Sequence, residues 1–391
     1  MSNGAAASAR DADYPRFSPA EMERRRAAVD ELLAAHGAEH AVFYGANRVG
    51  EAIAWLCGWP VTREAALVHT PGERDLLLVE FYNHVPNATV LATEAEVRWA
   101  GPSTIGTVIA ELRRRRVGGR KVALLGPLGH RGYAQLHEAV GEVADLGADY
   151  ARLRLVKSAE EVEWARRGAE LTDAAVAAMR DQALPGVDLN ELADAVERAY
   201  VARGGSTHIH YFSATPMAGG ELCVPAQWPS LRPLAAGDAL SCEVSASWWG
   251  YPGQLLRSFT VAAEPTPLYA ELQSVADAAF DAVVAALRPG ATAAELVAAS
   301  APIEAAGFTI RDDLVHGFVG GYLAPILGSL SRQLTPVPDF TFEAGMMVVV
   351  QPNVVTREET AGVQTGELLL VTEDGAESLH DFPRGLRPSG R

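Results

Sequence analysis

GDALSCEVSASWWGYPGQLLRSFTV, Gly237 to Val261, is the stretch on which the reading of this chain turns. Leu240, Cys242 and Val244 alternate with Ala239, Ser241 and Glu243, the period of two that marks a strand. A Trp248-Trp249-Gly250-Tyr251 corner follows, and a second run closes the segment at Leu255-Leu256-Arg257-Ser258-Phe259. The pattern predicts an antiparallel hairpin. Glu243 on its first strand and Gln254 on its second put polar groups where a strand interior is otherwise apolar. Burying such groups is costly unless they are paired, so this hairpin either faces water or builds a site.

Outward from the hairpin, 391 residues suffice for two domains with separate cores. A net charge of −16 argues against nucleic acid or an anionic membrane surface as the main partner. Cys57, Cys223 and Cys242 are too few and too scattered for a disulfide framework or a zinc motif. Reduced thiols in a cytoplasmic protein are therefore expected. No run approaches the ~20 apolar residues of a membrane span. Residues 1–17 read as a disordered tail without the apolar core of a signal peptide.

Ser18-Pro19-Ala20-Glu21 opens a helix that stops at Gly37. Short strands at 40–44, 64–69, 74–80 and 121–125, with a helix over 104–116, predict an α/β domain. The run Arg113 to Arg116 reads as a solvated helix end before Val117-Gly118-Gly119. Ser158 and Glu161 form a capping box for a long helix through Met179, which sets the domains at 18–155 and 156–391. Helices over 189–203, 268–287 and 292–306 follow, with strands between. In Ser206 to Phe212, alternation places His208 and His210 on one strand face.

In order and spacing, residues 18 to 385 resemble the creatinase, prolidase and methionine aminopeptidase superfamily, the pita-bread fold. The resemblance implies an α/β (α+β) protein, with a small creatinase-like N-terminal domain and a C-terminal pita-bread domain. In the superfamily's peptidases, the positions of Glu243 and Gln254 are metal-binding aspartates. Asp313 to Phe318 resembles its His-Gly loop, with His316 on the metal-binding histidine. Phe342 to Pro352 resembles the strand that ends in a ligand Glu before Pro, and here Gln351 stands there. In Gly362 to Glu367, Gly366 takes the last ligand position and Glu367 falls one residue later. Leu222 to Pro229 resembles the loop of the substrate-facing histidine, but carries Ala226, Gln227 and Trp228.

A two-metal site needs several anionic carboxylates to balance its ions. Gln254, Gln351 and Gly366 remove most of them, so neither a metal pair nor another cofactor is expected. Three readings stay open. The first is creatinase-like acid–base cleavage of a C–N bond (or a lyase reaction), with His208, His210 and His316 as acid–base groups and Glu243 as their partner. The second is a rebuilt mononuclear metal site from those same residues, in an Xaa-Pro peptidase-like enzyme. The third is a binding module without catalysis. The partner expected in the first reading is a small carboxylate-bearing nitrogenous molecule, held by Tyr211, Gln254, Gln351, Gln364 and Glu367. Cys57 to Arg63 resembles the creatinase segment whose arginine enters the neighbouring subunit, so the resemblance implies a homodimer with Arg63 gripping the substrate carboxylate.

Overall fold

The computed structural model describes residues 14–390 except 48, 118, 119 and 334. The tail expected over 1–17 lies outside the described residues as far as residue 13. The chain divides into two compact units that meet between Arg154 and Leu155.

In the first unit, Ser18 caps α1 (Pro19–Ala35): its Oγ accepts the Glu21 N–H at 3.1 Å, and Pro19 supplies the fixed φ of a first helical residue. The strands are β1 (His40–Ala46), β2 (Glu64–His69), β3 (Asp75–Val79), β4 (Ala95–Trp99), β5 (Val122–Leu125) and β6 (Val143–Asp145). They form one mixed sheet in the order β4-β3-β2-β1-β5-β6. Between them run α2 (Glu51–Cys57), α3 (Val85–Leu91), α4 (Thr104–Arg114), α5 (His130–Val140) and α6 (Gly147–Leu153). Val42, Leu67, Leu77 and Leu124 are buried, as strands covered on both faces require. The arginine run after α4 departs from its expected solvated role. Arg115 folds inward, its Nε donating to Glu111 at 2.8 Å and its Nη1 to Thr70 Oγ1 at 2.7 Å. Hydrogen bonds from Arg114 and Arg115, opposed by burial, hold Glu111 down at about 2. Gly118 and Gly119 lie outside the described residues.

The second unit opens with α7 (Ala159–Gln182), whose Ser158–Glu161 capping box is complete in both directions. α8 (Leu189–Val201) follows, then β7 (Ser206–Pro216), β8 (Asp238–Trp248), β9 (Tyr251–Pro252) and β10 (Leu255–Thr260). Helix α9 (Pro267–Ala286) leads to α10 (Ala293–Ala299) and α11 (Ala301–Ala305). The single helix expected over 292–306 is broken there, because Pro302 lacks an N–H and disfavours helical geometry in the residue before it. β11 (Thr309–Ile310), β12 (Val315–Gly317), β13 (Leu323–Leu327), β14 (Met347–Val350), β15 (Val354–Val355) and β16 (Gly366–Thr372) complete the part that matters here.

The large curved sheet runs β13-β12-β14-β16-β10-β8-β7. Its helix-covered face carries Leu240, Cys242, Val244, Leu255 and Phe259 against Leu171, Val176 and Leu192 of α7 and α8. The same face continues as Val315, Val348, Val350 and Leu369 against α9 and α10. Each such side chain contributes about 1.5–3 kcal/mol by leaving water. The pairings Tyr211 with Glu243, Glu243 with Leu256, and Leu256 with Gly366 then line up one row on the opposite face. That face gathers the polar side chains Ser213, Ser241, Glu243, Ser245, Gln254, Ser258, His316 and Gln351 among a few apolar ones such as Leu256 and Val349.

Candidate active site

Glu243 sits at the middle of this polar face. The Gln254 Nε2 group donates to Glu243 Oε1 at 2.9 Å and lies 3.5 Å from Gln351 Oε1. Burial, joined by the negative charges of Asp312 and Asp313, pushes Glu243 up to about 8. At neutral pH it is a carboxylic acid. Asp312 reaches solvent at the rim, yet the enclosing walls and the Asp313 charge raise it to about 6. Asp313 is raised by burial, although its Oδ1 accepts the Tyr322 hydroxyl at 2.7 Å.

His316 is buried on β12, with Nδ1 3.1 Å from the Gly317 carbonyl. A carbonyl only accepts, so Nδ1 carries the proton and Nε2 keeps its lone pair. Burial pulls His316 down to about 4, against the opposing effects of Gly317, Asp312 and the Gln351 side chain. The ring is therefore neutral at pH 7. Tyr322 stacks on it with ring centroids 4.4 Å apart, and Phe318 meets it edge-on at 5.4 Å. Gly317 is small because β13 passes close: a Cβ there would meet the Ala324 carbonyl oxygen at 2.4 Å.

The superfamily's metal pair does not fit these residues. A Cβ at Gly366 would lie 2.8 Å from both Gln351 Cβ and Leu256 Cδ1, so its neighbours already fill the space of the last carboxylate. Gln254 spends its amide N–H on Glu243 and points a donor where a ligand needs a lone pair. Among the described residues, no three His, Cys, Asp or Glu side chains converge as a ligand set.

The expectation that His208 and His210 share a face is not met. The register of β7 on β8 shifts between Thr207 and Ile209, and His208 sits in that bulge. His210 pairs with Val244 and so points to the helices, with Nδ1 3.3 Å from Glu197 Oε1 of α8. Burial lowers its pKa despite Glu197. His208 instead meets Phe318 at 5.7 Å, on the His316 side. The rebuilt site of His208, His210, His316 and Glu243 is thus not assembled.

Glu367 also lies on the helix face, not the cleft face. Its Oε1 accepts from Arg257 Nη2 at 2.6 Å, and Arg257 further donates to the Gly366 and Phe382 carbonyls. Gln364 keeps to the cleft face: its backbone N–H donates to Ser258 Oγ at 2.8 Å, while Nε2 is buried with no partner among the described residues. Tyr211 stands opposite Glu243. In the Leu222–Pro229 loop, Ala226 accepts the Phe212 N–H at 3.2 Å and Trp228 is exposed. In the first unit, Arg63 is exposed, 4.0 Å from Glu80 and 6.0 Å from the Phe81 ring. Sequence reasoning missed Asp312 and Asp313 as site groups. Their signal was two adjacent carboxylates just ahead of the His316 strand.

Comparison with known proteins agrees with this architecture. Residues 163–373 match the profile of metallopeptidase family M24. The uncharacterized peptidase YqhT of Bacillus subtilis is 25% identical over 63% of this chain and 67% of its own length. The probable dipeptidase PepE of Mycobacterium tuberculosis is 26% identical over 64% of this chain and 65% of its own. The chain thus spans about two-thirds of the curated relatives it matches. Among solved structures, the dipeptidase PepE from Mycobacterium ulcerans superposes with a TM-score of 0.79 at 23% identity, covering 96% of this chain and all of that one. The prolidase from Pyrococcus horikoshii gives 0.77 at 17% identity, covering 93% and 99%. At these identities the likeness speaks for the fold. Among the described residues, no helix is long and apolar enough to cross a membrane.

Proposed function

We propose that this chain, which belongs to metallopeptidase family M24, is a hydrolase that cleaves a C–N bond in a small carboxylate-bearing molecule without a metal pair. The carrying observation is the replacement at the sheet centre: amides at Gln254 and Gln351 and a filled gap at Gly366, beside a Glu243 that is neutral at pH 7. A carboxylic acid held neutral by its surroundings is a proton donor near the operating pH. His316, in its free-base form with Nδ1–H tied to Gly317, offers Nε2 as the acceptor.

In this reading water adds to the carbonyl carbon and gives its proton to His316 Nε2. Glu243 then protonates the leaving nitrogen as the C–N bond breaks, and the products are a carboxylic acid and an amine. A lyase reaction would use the same donor and acceptor without the water. We further propose a cytoplasmic homodimer in which Arg63 of one copy holds the substrate carboxylate in the other. Its exposure and loose 4.0 Å tie to Glu80 support that reading. The test is elemental analysis, together with turnover of N-acyl and guanidino acids before and after chelation. Turnover that survives chelation is expected. Activity that appears only with added manganese or zinc would overturn the proposal.

A further inference from the structure

We infer that the outer edge of β4 in the first unit is a self-pairing surface for a second copy of this chain, with Glu96 of each copy set against the partner's Arg98 across a two-fold axis at Val97. The inference deepens the homodimer reading above and rests on it.

The first observation is an open edge. Among the described residues β4 ends the sheet and pairs with β3 alone, in parallel, from Ala95 to Trp99. Ala100 sends its N–H inward to the Val79 carbonyl at 2.8 Å. By alternation, the N–H and C=O of Val97 and Trp99 point outward, away from β3. Outward backbone groups of this kind are a template for another strand.

The second observation is charge complementarity. Glu96 and Arg98 lie two residues apart on one face of β4, joined at 2.6 Å, and both side chains are nearly half exposed. Two copies set antiparallel, with Val97 opposite Val97, place each Glu96 opposite the partner's Arg98. These are the close, non-hydrogen-bonded positions, where opposite charges stabilise the pairing. Moving the axis to residue 96 or 98 would set Glu96 or Arg98 against its own copy, which like charge disfavours. Charge thus selects one register.

The third observation is the ground beside the edge. Trp99 and Tyr82 are 47% and 74% exposed and meet edge-on with ring centroids 6.0 Å apart. Phe81 is exposed next to them, with the Arg63 guanidinium 6.0 Å from its ring. A pair of five-residue strands alone buries too little for a stable dimer, which needs roughly 1,000 Å². These rings extend the contact with residue types that interfaces favour. The patch ends at Arg63, the side chain proposed above to reach into the other copy.

The test is sedimentation equilibrium of the full chain in the micromolar range, with thermal melts to show that each variant folds. The wild type is expected to be a dimer. Glu96→Arg and Arg98→Glu should each weaken it at least tenfold, because each sets like charges opposite one another. An equal mixture of the two variants should dimerise again, since one copy then carries two cations and the other two anions. The double variant Glu96→Arg/Arg98→Glu should dimerise as the wild type does. Tyr82→Ser should weaken the dimer without moving the melting temperature, and it decides the matter if the charge variants do not fold. A dimer that persists in both single variants, or a mixture that stays monomeric, overturns this interface but leaves Arg63 to be judged by the kinetics of Arg63→Ala. A wild type that is monomeric throughout the range overturns the interface and the homodimer together.

Discussion

Replacing Glu243 by Gln should make this protein more stable as the pH rises, while removing its activity. The folded state lifts the Glu243 carboxyl from 4.5 to about 8, through burial and the nearby Asp312 and Asp313. Between those values the folded chain holds a proton that the unfolded chain has released, so folding loses stability with every step up in pH. The loss runs at about 1.4 kcal/mol per pH unit, which bounds the total at about 5 kcal/mol by pH 8. Partial solvent access and relaxation reduce this to about 2–4 kcal/mol. A Gln side chain keeps the shape and the contact with Gln254 but cannot ionise. The wild type and Glu243→Gln should therefore have similar stability near pH 5 and diverge up to pH 8, where the variant melts about 5–10 °C higher. Above pH 8 the gap should stay constant. Denaturant or thermal melts from pH 5 to 9, paired with turnover at each pH, measure both effects. A gap that does not change with pH, or one that favours the wild type at pH 8, would refute the buried acid. A stabilised variant with full activity would refute its catalytic role.

Four other outcomes follow from particular contacts. His69 lies between Asp75 and Asp30, with each ring nitrogen 2.7 Å from a carboxylate oxygen, so it folds as an imidazolium. Burial disfavours that charge, but the two carboxylates outweigh it and raise its pKa. Its stabilisation is present below about 6.5 and fades as pH passes the folded value, so His69→Gln should cost about 3 kcal/mol at pH 6 and much less at pH 9 in denaturant melts. Arg257→Ala strands the buried Glu367 and should cost about 3–5 kcal/mol, seen as loss of soluble protein or a much lower melting temperature. Gly366→Glu, even combined with Gln254→Asp and Gln351→Glu, should lose about 1–3 kcal/mol to overpacking. It should still not bind two manganese ions per chain by elemental analysis, because a Cβ at 366 meets Gln351 and Leu256 at 2.8 Å. Arg63→Ala should raise KM for carboxylate substrates while leaving the melting temperature within about 0.5 kcal/mol of stability; equal loss of both would assign it a structural role.

What the sequence carried legibly is local chemistry. Ser18 and Ser158 cap helices at their own positions, because a cap depends on residues three apart. The Gly237–Val261 hairpin follows from its alternation and its corner, with Glu243 against Leu256 once the strands pair. Long-range consequences were not legible. The bulge at His208 arises where β7 meets β8, and neither strand's own composition announces it. Arg115 turns inward because Glu111 is buried beside it, a fact of packing and not of a charge run. The effect of Asp312 and Asp313 on Glu243 requires two distant segments to share one cleft.

The last ligand strand makes the limit concrete. Gly366 and Glu367 are neighbours, and alternation alone assigns them to opposite faces of β16. The pairing of Gly366 with Leu256 puts the glycine on the Glu243 face and Glu367 with Leu255 on the helix face. Had Glu367 been meant for the cleft, its partner Arg257 would sit there as well, since β10 alternates in step with β8. Arg257 instead donates to four backbone carbonyls, from Leu256, Gly366, Phe382 and Pro383. A one-residue offset thus separates a metal ligand from a wall ion pair. It leaves the cleft with a neutral acid, amide groups that keep an unpaired atom and a neutral imidazole, a set suited to moving protons and recognising hydrogen-bond donors.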